Sequence, residues 1–395
     1  MTGWVRRFLL GLCATLPFGV AAMPLCDSTE QRQAFYKALE PWQKSLEQKR
    51  FAEADKHFNA LIADTAAGKM NDQELHRWFE VFYKWNPGRE PLHEDWIRQF
   101  PNSAAAYLAA AYHYEARGWN SRGGEYSSKT SDSQFQAMGQ EFRKAFENLT
   151  RAEGLMARPT LAAAMRMWMM AAAGDRRNQV RDIYRSAIKS FPETVQVRVI
   201  WVTLSHPKWG GSIDQLKDVV GDARSLNAND RRYIEYLVNE ELGHAYRDAD
   251  EPKRAAEYYG KAIPMCPGLD GALTADLKMH QAQKNYEAII PLATTYIERY
   301  PRGNWGWAMR GWAHVERKEY DRAAYDYERG ALYGSSYAQE GLAWLTEWGH
   351  GGVKQDYGKA IELYEIAAAN GSPTAAQKAE KIRKGIGVKR ATAGK

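Results

Sequence analysis

Apolar residues along this chain fall in helical runs, and no sustained alternation of apolar and polar positions marks a half-buried strand. "NSAAAYLAAAYHYEARGW" and "RPTLAAAMRMWMMAAAGD" are alanine-rich, and alanine is the strongest helix former; they predict helices ended by Gly118 and Gly174. "RNQVRDIYRSAIKSFPET" predicts another, stopped at Pro192 because proline lacks the N–H that would continue the ladder. The pattern predicts an all-α chain.

Self-similarity organises the second half. Leu242, Gly243, Tyr246, Ala255, Tyr259, Ala262 and Pro267 form one set, and Gly311, Ala323, Tyr327 and Gly330 repeat part of it 68 positions later, with Trp307 ahead of them. A weaker unit lies between, containing Ala288 and closed by Pro301. Two antiparallel helices explain the residue types. Glycine and alanine let the backbones approach, tyrosines fill the space beside them, and proline ends the second helix. The spacing, twice 34, resembles the tetratricopeptide repeat. That resemblance implies an α-solenoid of stacked antiparallel helix hairpins, because one hairpin cannot bury its own apolar face.

Near the C-terminus the interval lengthens to 37: Tyr327, Ala331, Gly334 and Ala338 recur as Tyr364, Ala368, Gly371 and Ala375. The segment "GGVKQDYGKAIELYEIAAANGSPTAA" resembles the Sel-one-like repeat through Gly352, Val353, Asp356, Lys359, Ala360, Ala367, Ala368 and Gly371. Its glycines do not make a phosphate loop. Such a loop needs four residues before Gly-Lys and a Ser or Thr after it, whereas five separate Gly352 from Gly358 and Ala360 follows Lys359. A tight inter-helix turn, with Asp356 capping the next helix, is expected instead.

Residues 1–22 carry Arg6 and Arg7, an apolar run from Phe8 to Ala22, and small residues before a plausible cut, the make-up of a secretory signal peptide. The run is broken by Pro17 and is shorter than the about 20 residues a spanning helix needs, so no stable membrane insertion is expected after cleavage and the periplasm is the expected location. Removing the two arginines lowers the formal charge from +6 to +4. With no long basic block before the final residues, nucleic acid is not an expected partner. Cys26 and Cys266 would remain in an oxidising compartment and are candidates for a disulfide. The expected organisation is a helical region 23–102, a tetratricopeptide-like domain 103–228 with a long polar loop, tetratricopeptide repeats 229–335, a Sel-one-like repeat 336–385 and a disordered basic tail 386–395.

Chemistry-bearing patterns are sparse. The nine histidines form no His-Glu-x-x-His pair, and there is no Gly-x-Ser-x-Gly elbow. "HPKWGGSIDQL" has His206, Lys208 and Asp214, but five residues separate the Lys from the Asp and no second copy exists, so a turn is expected: Pro207 ends a helix, Gly210 and Gly211 reverse the chain, and Ser212 caps the next. No catalytic residue, cofactor or metal is predicted, and the chain is not expected to be an enzyme. Partner-binding candidates are Trp119, Arg122 and Tyr126 in the polar segment 117–135, since long loops often carry function. A second set lies where the tetratricopeptide resemblance implies a concave groove: Glu240, His244 and Arg247, with Trp305, Trp312 and Glu316. The block 116–212, with "ARGWNSRGG" at its entrance and "HPKWGGS" at its exit, resembles a bacterial family of tetratricopeptide-like domains of unassigned function; joined to Sel-one-like repeats behind a signal peptide, the whole resembles periplasmic immunity proteins that neutralise type VI secreted phospholipase effectors. That resemblance implies a protein partner whose active site is occluded. A cell-envelope scaffold would use the same surface, and an envelope hydrolase is the remote alternative.

Overall fold

The computed structural model describes residues 26, 29–83, 90–124, 129–174 and 177–393, so the expected leader and Tyr126 lie outside the described residues. Every regular element among the described residues is helical, as the sequence pattern requires. The chain divides into two compact units, residues 1–238 and 239–395.

The first unit contains α1 (Thr29–Gln43), α2 (Phe51–Ala66), α3 (Asp72–Phe79), α4 (Glu90–Gln99), α5 (Ala104–Arg122), α6 (Asp132–Leu155), α7 (Thr160–Ala172), α8 (Arg177–Ser190), α9 (Gln196–Ser205) and α10 (Ile213–Asp222). Most helices pack on their chain neighbours, while α3 also lies against α5, α7 and α9. Its core is aromatic at one end, around Phe58, Phe79, Phe82 and Trp96, and alanine-rich along α5, where Ala105, Ala106, Ala109 and Ala110 are fully buried. Short side chains there let α6 lie close along α5, and close packing multiplies dispersion contacts.

Among the described residues, the polar segment 117–135 is more helix than loop. α5 runs through Gly118 to Arg122, and α6 starts at Asp132 behind a capping box in which Ser131 and Gln134 satisfy each other's backbone N–H groups. Gly118 is a contact, not a terminator: a Cβ there would stand 2.5 Å from Cε1 of Phe142 on α6. Only residues 123–131 connect the two helices, and Gln134 Nε2 donates to the Arg122 carbonyl across that connection (3.0 Å). The "HPKWGGS" segment turns as expected. Pro207–Trp209 form one 3₁₀ turn, Gly210 has φ of 81°, and the Ser212 hydroxyl caps α10 by accepting from Gln215 N.

After α11 (Ala228–Asp248) come α12 (Pro252–Ala262), α13 (Gly271–Ala282), α14 (Tyr286–Arg299), α15 (Asn304–Glu316), α16 (Tyr320–Leu332), α17 (Ser336–Trp348), α18 (Tyr357–Ala369) and α19 (Ala375–Ala393). From α12 onward each helix packs against the next, so the second unit is a stack of antiparallel hairpins. The repeat is written in the backbone. Asp250, Lys284 and Lys318, spaced by 34, all have positive φ (58°, 54° and 62°). The N–H of the following residue in each case returns to a carbonyl five positions back: Glu251 to Tyr246, Asn285 to His280 and Glu319 to His314, at 2.8, 3.0 and 2.8 Å. This main-chain closure satisfies orphan carbonyls at a helix end without glycine.

The small residues do what the repeat predicts. A Cβ on Gly243 would stand 2.4 Å from Tyr259, and one on Gly311 2.7 Å from Tyr327. The middle repeat differs from the sequence reading: Ile289, not Ala288, takes the buried position of Ala255 and Ala323. The Asn285 side chain fixes this register by capping α14 through Ala288 N (3.3 Å). Leu277 and Ala293, both fully buried, stand where the flanking repeats have Gly and Tyr. In the Sel-one-like segment Asp356 caps α18 through Lys359 N (2.9 Å), and a Cβ on Gly351 would meet the Tyr320 carbonyl at 2.4 Å. Helix α19 continues to Ala393 through the segment expected to be a disordered tail. Among the described residues no helix is long and apolar enough to cross a membrane.

Candidate functional site

A cavity of about 260 Å³ opens in the first unit, lined by His76, Glu80, Tyr83, Tyr112, Glu115, Met165, Trp168, Gln196, Ile200 and Thr203. Helical spacing puts these residues on inward faces: His76 of α3 is followed at i+4 by Glu80 of the 3₁₀ turn that continues it and at i+7 by Tyr83 at that turn's C-cap, and Gln196, Ile200 and Thr203 keep the same spacing along α9. Tyr112 and Glu115 come from α5, Met165 and Trp168 from α7.

Two buried polar groups hold the frame. The Asp72 carboxylate, at the start of α3, accepts from the Thr194 hydroxyl and from the N–H groups of Val195 (2.7 Å) and Gln196 (3.1 Å), so one helix supplies the cap of another. Arg198, fully buried on α9, donates to the carbonyls of Pro192, Thr194 and Asp222 and to the Ser225 hydroxyl. A buried guanidinium needs such partners to offset its desolvation. Together they lock α9, and with it Gln196, against α3.

The floor is buried and the mouth is exposed. Tyr112, Glu115, Met165 and Gln196 are buried, whereas Glu80 and Tyr83 are exposed at the rim. The Tyr112 hydroxyl and His76 Nδ1 lie 2.5 Å apart, and His76 Nε2 is 3.5 Å from Glu80 Oε1. Burial holds the His76 imidazole down to about 4, helped by the Arg77 charge, so it is neutral at pH 7. Burial pushes the Glu115 carboxyl up to about 8, which leaves it mostly protonated at the same pH. The Trp119 indole offsets part of that rise, although its N–H makes no well-formed hydrogen bond. The Tyr112 hydroxyl is held well above its ordinary value, first by burial and then by Glu115 and Glu80.

Of the residues predicted from the polar segment, Trp119 touches a residue of the cavity lining and Arg122 lies against Trp119. Trp119 packs edge-on against Phe142 (5.9 Å between centroids) and beside the cavity's Trp168 (5.8 Å), which in turn meets Trp209 (5.2 Å). The Arg122 guanidinium lies over Trp119 at 5.7 Å. Both are helix residues rather than loop residues.

The second predicted set sits in the other unit on α11 and α15. His244 Nδ1 meets the Tyr259 hydroxyl at 2.8 Å, tying it into its own hairpin, and Arg247 chelates Asp248. Trp305 and Trp312 are braced edge-on by Tyr296 (5.0 Å) and Tyr286 (5.2 Å) of α14, and Glu316 is exposed beside Tyr286. Glu240 lies one turn before His244, and burial with the Glu240 charge pushes neighbouring Glu241 up to about 7. Sequence reasoning missed the exposed apolar side chains of α16 and α17. Leu332 and Tyr337, each 70% exposed, flank one turn, and Tyr325 is also exposed, with Arg329 over its ring. Cys26 and Cys266 are each disulfide-bonded, Cys266 with no exposed surface. Among the described residues no group of three or more His, Cys, Asp or Glu is placed to hold a metal ion.

No known protein family matches the chain, and no curated protein matches it either. Solved structures give distant likenesses. A Sel1 repeat protein from Oxalobacter formigenes aligns over 94% of this chain and 98% of its own, with 13% identity and a TM-score of 0.40. A protective antigen of uropathogenic Escherichia coli with an SLR fold covers 84% and 80% at 15% identity and 0.36. Yeast Tom70 covers 80% of this chain and 61% of its own at 12% and 0.39. Scores this low carry no functional argument, and the assignment as an all-α hairpin stack rests on the helices and the 34-residue backbone register described above.

Proposed function

We propose that the protein is an exported protein-binding α-solenoid, and specifically a periplasmic immunity protein that binds a type VI secreted phospholipase-type effector and occludes its active site. The observation that carries protein binding is the apolar surface of the second unit, where Leu332 and Tyr337 stand open to solvent beside Tyr325 and Arg329. Large exposed apolar side chains mark interaction surfaces, and Tyr and Arg are over-represented among the residues that carry binding energy. A hairpin stack supplies an extended face for such a contact. The leader-like residues 1–22, joined to the tetratricopeptide-like block 116–212 and the Sel-one-like segment, are the combination that supports the immunity role and the periplasmic location. The test is co-expression with a phospholipase-type effector encoded beside this gene. Growth rescue by the wild type, lost in L332D/Y337D, is expected. Capture of cell-envelope proteins without rescue would replace this reading with an envelope scaffold, and phospholipid hydrolysis by the purified protein alone would replace both with an enzyme.

A further inference from the structure

We infer that the cavity between α3, α5, α7 and α9 is a receptor for one organic cationic group, an alkylammonium or a guanidinium. Its hydrogen-bonding lining is rich in acceptors: carboxyls from Glu80 and Glu115, the Gln196 amide oxygen, and the hydroxyls of Tyr83, Tyr112 and Thr203. No Lys or Arg lines it. Gln196 is 3% exposed, and its Oε1 has no hydrogen-bond partner. A buried polar atom left unpaired carries its full desolvation penalty, which a donor arriving in the cavity would relieve. Tyr83, Tyr112 and Trp168 supply ring surfaces, and rings attract cations through their quadrupole. An anion would meet no positive partner in the lining.

The volume suits a single alkyl chain with its charged head. The rim, with Glu80 and Tyr83, would meet the cation first, and Glu115 and Gln196 would receive it at the floor. The titratable groups that line the cavity with Glu115 are His76, Glu80 and Tyr83 from α3 and the turn behind it, and Tyr112 from α5; the lining from α7 and α9 contributes none. A cation beside Glu115 opposes the effect of burial by favouring the ionised carboxylate, so binding near neutral pH releases its proton to solvent. This inference is independent of which effector or partner the second unit recognises.

The test is calorimetric titration of the full mature chain at pH 7 with pentylammonium chloride and agmatine, with n-pentanol as the neutral control, in two buffers of different ionisation enthalpy. One-to-one binding of the cations but not of pentanol is expected, with uptake by the buffer of up to one proton per site. E115Q should weaken binding at least tenfold and abolish the proton release. E80Q, at the exposed rim where folding is not at stake, should weaken it several-fold. Blocked peptides containing one Lys or one Arg separate the sources. Binding of a peptide at least as tight as the free amine identifies a protein side chain as the natural occupant, and binding of free amines alone identifies a soluble small molecule. Absence of cation binding, equal binding of pentanol, or wild-type affinity and proton release in folded E115Q would overturn the inference.

Discussion

Replacing Glu115 by Gln should change how the protein's stability depends on pH, with a sign and size fixed by its surroundings. The carboxyl, 6% exposed on the cavity floor, has its value raised from 4.5 to about 8, chiefly by burial. In the window between those values the folded chain keeps a proton that the unfolded chain has released. Stability from this group is therefore complete below pH 4.5, declines as pH rises, and is lost by about pH 8. Displacing an ionisation by one pH unit corresponds to about 1.36 kcal/mol, so the whole window amounts to on the order of 5 kcal/mol, and the part between pH 5 and pH 8 to about 4. Glutamine has the shape of the protonated acid and no proton to lose. His76, held down to about 4 by burial and Arg77, produces the opposite trend between pH 4 and 6.5, but it titrates in both proteins and cancels in their difference. Urea unfolding of wild type and E115Q, run in parallel at pH 5, 6.5 and 8, should show the variant gaining on wild type at each step. Parallel pH profiles would refute the claim that Glu115 is buried and protonated.

Gly243→Ala puts a methyl 2.4 Å from Tyr259 and should lower stability by about 1–3 kcal/mol, while Gly260→Ala, with nothing within 4 Å, should raise it by about 0.5–1; paired thermal melts check both. Asp72→Ala leaves a buried hydroxyl and two N–H groups without their acceptor and should cost about 2–4 kcal/mol, with faster hydrogen exchange at Val195 and Gln196 reading the site directly. Alkylation of the denatured, unreduced chain should label neither Cys26 nor Cys266, and reduction should expose both; mass spectrometry distinguishes the two states.

Features that depend on a short stretch of chain were legible in the sequence. Ser212 and Asp356 cap the helices that follow them, and Gly243 and Gly311 meet the tyrosines that lie 16 residues on. Gly118 misled because glycine ends helices and also admits a neighbour's ring, and only the position of Phe142 separates the two roles. The cavity was not legible. His76 and Gln196 are brought together by Asp72 reaching Thr194, a contact with no period and no motif behind it. The available signal was the pair of i, i+4, i+7 sets, His76, Glu80, Tyr83 and Gln196, Ile200, Thr203, which place three and two hydrogen-bonding side chains on one helical face each.

The middle repeat of the second unit exchanges bulk between its two helices: Leu277 and Ala293 occupy the places that Gly243 and Tyr259 hold before it and Gly311 and Tyr327 after it. A stack that fixes only the combined volume across a hairpin leaves each helix free to be thick where its mate is thin. A G243L/Y259A double substitution should then be tolerated better than the sum of its two parts, and a motif that prescribes residue type at single positions will pass over any hairpin that solves the same space the other way round.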